Sequence, residues 1–183
     1  MKEFTLQTEL WLPRPPAEVF SFFAEARNLQ TITPPWLRFD VLTPAPIVMR
    51  PGTLIDYRIS VHGLPVRWRT EITEWDPPHQ FVDVQLRGPY TLWHHTHTFE
   101  ERDGGTLCRD RVRYRPRGGA LLDWLFVRRD VARIFQYRQQ RLRELFSAAA
   151  SDLARESARS GISAGGPSGA GDDAEYKPCS RAK

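Results

Sequence analysis

Apolar and polar residues alternate with period two over Phe4 to Leu12, placing Phe4, Leu6, Leu10 and Leu12 on one face and predicting a half-buried strand. The period then changes. Pro15-Pro16-Ala17-Glu18 reads as a helix start, with proline at the first helical position and an early carboxylate favourable to the dipole; Val19, Phe20, Phe22 and Phe23 supply its apolar face. A second short helix through Asn28-Leu29 is stopped by Thr33-Pro34-Pro35. Six further strands are predicted over 37–42, 54–61, 66–75, 80–86, 91–101 and 106–115, separated by Pro- and Gly-rich turns. Asp103-Gly104-Gly105 is the strongest hairpin signal, because glycine supplies the positive φ that tight turns require. Gly118-Gly119 then opens a long helix ending by about Ala150, with Leu121, Leu125, Ala132, Phe135, Leu142 and Phe146 on one apolar stripe.

This order predicts an α+β domain: a curved, seven-stranded antiparallel sheet around a long C-terminal helix, with two short helices after the first strand. Packing a straight helix across a curved sheet leaves a cavity, the usual seat of a small molecule. After Phe146 the sequence turns rich in Ala, Ser and Gly with few large apolar groups, so a domain over 1–150 is expected to be followed by a disordered tail over 151–183.

Composition narrows the function classes. The 183 residues are 40% hydrophobic and 26% charged, and no apolar run is long enough to cross a bilayer. Without a signal-like N-terminus, and with only Cys108 and Cys179, a cytoplasmic location is expected and neither a disulfide framework nor a cysteine metal cluster is. The net charge of +4 is pooled. Eleven arginines between Arg109 and Arg143 face three aspartates, a belt read here as mostly solvated surface, so no nucleic-acid partner is expected and peripheral membrane contact is left open.

Strand parity sorts the candidate chemistry. Trp93, His95, His97 and Phe99 share one face of their strand, and Cys108, Asp110, Val112 and Tyr114 share one face of the next. Arg109, Arg111, Arg113 and Arg115 occupy the opposite face, and four arginines in a row cannot face a core, so the imidazoles and Asp110 are assigned to the cavity side. Three readings of His95, His97 and Asp110 follow: a structural polar network, a pole that orients a ligand's head, or a His-His-Asp metal site. The first is the plainest, and no metal or other cofactor is assigned, since no further ligand or catalytic carboxylate stands out. Tyr57, Trp68 and Phe135 join the cavity-lining candidates. His94 and Glu74 are placed at the surface and rim, and Cys108 is read as a small buried hydrophobe. No nucleophile elbow, phosphate loop or Cys-x-x-Cys is present.

The Pro15-Pro16-Ala17-Glu18-Val19-Phe20 start, Asn28-Leu29 with Thr33-Pro34-Pro35-Trp36, Gly88 to Phe99, Gly104-Gly105-Thr106 and Asp110 to Tyr114 resemble the START-like (SRPBCC) superfamily, over residues 3–146. The resemblance implies a helix-grip fold and a hydrophobic or amphipathic ligand such as a lipid, isoprenoid or polyketide-like molecule. It also implies two alternatives to simple binding. One is a cyclase or dehydratase using His95 or His97 as base, held by Asp110, with Tyr114 as proton donor; the other is an interaction protein using the Arg109–Arg143 belt. The ligand-binding candidates are thus Tyr57, Trp68, Trp93, His95, His97, Phe99, Asp110, Tyr114 and Phe135.

Overall fold

A computed structural model describes residues 2–117 and 126–160, with side chains through Ser147. Strand β1 (Phe4–Leu12) leads into helix α1 (Pro16–Ala24), whose proline start and Glu18 fall where the sequence places them, and then α2 (Asn28–Thr31). Next come β2 (Asp40–Val41), β3 (Leu54–Val61), β4 (Leu64–Asp76), β5 (Gln80–Arg87), β6 (Tyr90–Arg102) and β7 (Gly105–Pro116). Helix α3 runs from Arg128 to Ser160. The strands form one antiparallel sheet in the order β1-β7-β6-β5-β4-β3-β2, the predicted helix-grip topology.

Turn chemistry sets the register. His62 and Gly63 both have positive φ, as do Asp103 and Gly104, so β3–β4 and β6–β7 each close through the two-residue turn that suits the strand twist. The β6–β7 turn pairs Arg102 with Gly105, and each step down the hairpin then joins inward residues: Phe99 with Cys108, His97 with Asp110, His95 with Val112, Trp93 with Tyr114. A Cβ on Gly105 would sit 2.4 Å from the Leu12 carbonyl oxygen and 2.7 Å from the Trp11 ring, so only glycine lets β1 close against β7 there.

Three expectations change. The strand predicted over 37–42 shrinks to Asp40–Val41, because Pro35–Leu37 coil into a 3-10 turn and Arg38 takes a left-handed φ of 44°. Thr73 bulges between the pairs Ile72↔Asp83 and Glu74↔Val82, which reverses parity: Trp75 turns into the core and Glu74 leaves the inward face for solvent, where it accepts a hydrogen bond from Gln80. Helix α3 also continues ten residues past the expected end, since the Ala, Leu, Arg and Glu of 147–160 favour helix without needing a core. The predicted helix start at Gly118-Gly119, with Leu121 and Leu125, lies outside the described residues, as does the tail beyond 160. The chain divides by contacts into units 1–150 and 151–183.

The core lies in three clusters. Leu10, Leu12, Val19, Phe20, Phe81, Phe99 and Cys108 gather with Leu142 and Phe146 of α3. Ile55, Tyr57, Ile72 and Ala26 form a second cluster; Val112 and Tyr114 with Val131 and Phe135 form the third. The second and third clusters give walls to the cavity described next.

Candidate functional site

Between sheet and α3 lies a cavity of about 980 Å³. Its walls are mostly apolar: Ile55, Ile59 and Tyr57 of β3, Trp68 and Ile72 of β4, Trp93 of β6, Phe22, Phe23 and Leu29 near the short helices, and Val131, Ile134 and Phe135 of α3. Trp93 stands edge-on to Trp68 at 5.2 Å and lies 4.8 Å from Tyr90, a packed aromatic wall. Exposed residues rim the opening. His62 Nε2 meets the Asp130 carboxylate at 2.7 Å, linking the β3–β4 turn to the start of α3, and the Arg133 guanidinium lies 4.5 Å above the Trp36 ring.

One part of the wall is polar: Asp83, His95, His97 and Arg138. The imidazoles, 3% and 6% exposed, lie 3.7 Å apart, tilted by 39° to one another, between two carboxylates. Asp110 comes from β7. Asp83 comes from β5, where its pairing with His95 puts it on the same face. His95 Nε2 lies 3.0 Å from Asp110 Oδ1 and its Nδ1 3.3 Å from Asp83 Oδ2, so as an imidazolium it donates to Asp110 and stands within ion-pairing distance of Asp83. His97 Nε2 is 3.0 Å from Asp83 Oδ2; its Nδ1 is 2.9 Å from Asp110 Oδ1 but misaligned for a hydrogen bond. Phe81 stacks on the outer face of His97 at 4.0 Å, and Thr8 donates to Asp110 at 3.3 Å.

Electrostatics follow from this arrangement. Burial alone would strip the proton from His95, but the Asp83 charge and hydrogen bonds to Asp110 and Asp83 outweigh it and raise the pKa to about 8. Burial likewise opposes ionisation of Asp83 and Asp110, yet the two histidines hold both well below the ordinary carboxylate range. Burial drives the Tyr57 phenol far up and, with the Asp110 charge, the Cys108 thiol to about 12, so neither supplies a nucleophile near neutrality.

Of the candidates read from sequence, Tyr57, Trp68, Trp93, His95, His97 and Phe135 border the cavity. Three do not. Phe99 packs against Phe20 and Phe23 in the main core; Tyr114 is 3% exposed among Phe4, Tyr90, Trp93 and Val131; Asp110 stands behind the imidazoles and holds them. The pole holds two further residues, Asp83 and Arg138. Asp83 shares parity with Phe81 on β5, but only the β5–β6 register brings it opposite His95, and it is the further carboxylate that the sequence reading did not find. Arg138 belongs by sequence to the Arg109–Arg143 belt, yet it lies three residues after Phe135 and four before Leu142, on the inward stripe of α3, and borders the cavity. That spacing was readable. Asp83, His95 and His97 also offer three donor atoms within 4.8 Å of one another. Each of these donors is already turned toward a group of opposite character, so the plain reading of the set is a self-paired cluster.

A profile described as polyketide cyclase / dehydrase and lipid transport matches residues 12–142, a span holding the whole polar pole. The chain belongs to this family. Solved structures share its fold: protein Ms6760 from Mycobacterium smegmatis (TM-score 0.59, 23% identity, 79% of this chain and 92% of that one), Ara h 8.0201 (0.61, 18%, 80% and 99%) and TTHA0849 from Thermus thermophilus (0.56, 21%, 80% and 99%). Among curated proteins none matches the chain. At these identities the structural likeness speaks for the architecture, and function has to be argued from the site.

Proposed function

We propose that this protein binds an amphipathic small molecule in the cavity between sheet and α3, its apolar body against the aromatic wall and its polar head at the Asp83–His95–His97–Arg138 pole. The observation that carries this is the cavity's division, inside its charged rim, into a broad apolar lining and one compact cluster of ionisable side chains. Apolar area gives affinity and a few fixed polar groups give orientation, the division of labour usual in small-molecule sites. The family's description, which includes lipid transport, agrees with it.

The test is native mass spectrometry of the protein from its own host, followed by organic extraction, beside an Ile134→Trp variant that fills the cavity from α3. A co-purifying small molecule at near-equal stoichiometry, lost in the variant, is expected. A protein that emerges without one and does not bind the neutral dye Nile red overturns the reading.

A second reading rests on His95 itself. His95, with a pKa raised to about 8, lies 3.7 Å from His97 on the cavity wall, so a cyclase or dehydratase would have two adjacent imidazoles, one to take the α-proton of the substrate and one to give a proton to the departing hydroxyl. Tyr114 has no part in it, being packed away from the cavity. If this reading holds, a bound β-hydroxy ketone should lose water in wild-type protein and not in His95→Gln.

A further inference from the structure

We propose that Arg138 is the anchor of an acidic head group, so that the ligand is an amphiphile carrying a carboxylate and not a neutral alcohol or ester. The proposal rests on the binding function above and specifies its ligand class. The first observation is position. Val131, Phe135, Leu142 and Phe146 are the buried residues among the described side chains of α3, and Arg138 falls on the same stripe between Phe135 and Leu142. The second is its lack of partners. Arg138 Nε is buried with no hydrogen bond, and among the described residues no carboxylate lies within ion-pairing distance of the guanidinium. It rests 5.0 Å from the Phe135 ring and borders the cavity.

A guanidinium carries five N–H donors and no acceptor, and a buried charge is retained where something pairs with it. The rest of the pole is already served. His95 spans Asp83 and Asp110, His97 reaches Asp83, and Thr8 donates to Asp110. That leaves His97 Nδ1, which has no hydrogen bond, and the arginine's donors, and of these only the guanidinium brings a set of N–H groups that no described side chain meets. Those carboxylates also keep it a cation, since their charges oppose the burial that lowers its pKa.

Charge balance narrows the head group further. Asp83 and Asp110 already face two imidazoles, with one guanidinium beside them in the cavity wall. A single added negative charge is met by the planar, two-pronged geometry that arginine offers a carboxylate. A doubly charged phosphate would bring an excess of negative charge beside two aspartates.

The experiment uses the full-length chain and competition against Nile red, with matched pairs differing only in the head: dodecanoate against dodecanol, and naphthoate against naphthalenemethanol. Near neutral pH the wild type should prefer the acid of at least one pair by about tenfold or more, as a charge-assisted hydrogen bond gives. R138M, which keeps an apolar stem on the buried stripe, should hold its melting temperature and its alcohol affinity while the acid preference falls below about twofold. R138K should recover part of it. Equal competition by acid and alcohol in the wild type, or an acid preference that survives R138M, overturns the anchor while leaving hydrophobic binding intact. Failure of Nile red and all four compounds to bind overturns the binding reading itself, and the anchor with it.

Discussion

At the scale of single residues, the four-membered ring of Asp83, His95, Asp110 and His97 makes stability depend on pH in a direction that can be worked out. His95 has a folded pKa of about 8 against an ordinary 6.5, so its contribution is complete below about 6.5 and is lost as pH rises through about 8. The aspartates act in the opposite sense: their folded pKa values are depressed, so their share is present above the ordinary carboxylate range and lost only in acid. The raised histidine corresponds to roughly 2 kcal/mol at about 1.36 kcal/mol per unit. Wild-type protein should therefore melt several degrees lower at about pH 8.5 than at about pH 6, and His95→Gln should flatten that difference. A wild-type melting temperature that does not fall over this interval would sink the assignment, and an imidazole titration followed by NMR checks the pKa directly. Much of the ring was legible. Parity alone turned His95, His97 and Asp110 inward, because the four arginines of β7 forced the choice of face. Asp83 was not, since its partner is set by the β5–β6 register, and no two-residue turn fixes that register in the sequence.

At the scale of elements, the sheet and α3 are joined where large side chains interlock and parted where the cavity lies. Leu142, 3% exposed, packs with Phe146 into the cluster of Phe20, Phe99 and Cys108. Leu142→Ala should cost about 2–5 kcal/mol, the usual range for emptying such a position, read as the shift in urea midpoint at unchanged slope. At the other seam, Gly105→Ala must push a methyl group into the Leu12 carbonyl and the Trp11 ring, and backbone cannot yield as a side-chain tip can. A loss of about 1–3 kcal/mol is expected there, and a neutral result would mean that β1 closes differently. The helix stripe and hairpin turns were visible as periods and glycines. The bulge at Thr73 was not, because a single inserted residue leaves the local pattern unchanged while reversing which side chains face the core, as Glu74 and Trp75 show.

At the scale of the whole molecule, the chain carries a self-paired polar pole inside and a basic outer face, and the two must be separated before function is argued from charge. Composition gave only the total. The structure divides the belt: Arg138 turns inward, whereas Arg109 pairs with Glu9 and Glu100, Arg113 and Arg115 with Glu3, and Arg141 with Glu144. Those pairs are exposed or half-exposed and add little to stability, but they cancel field. Apart from Glu144, they draw on carboxylates far away in sequence, Glu3 and Glu9 at the N-terminal end and Glu100 of β6, so no count along 109–143 could register them. The outer face is therefore less attractive to a polyanion than eleven arginines suggest. Binding to a random-sequence DNA duplex should be measurable only at low salt. It should collapse between about 50 and 200 mM, with a log–log slope corresponding to few phosphates at about 0.9 each. Removing Glu3 and Glu9 together should strengthen that binding by unmasking Arg109, Arg113 and Arg115. Tight or sequence-selective binding by the wild type at physiological salt would show instead that the belt is a nucleic-acid surface, and would make the interior cavity secondary to it.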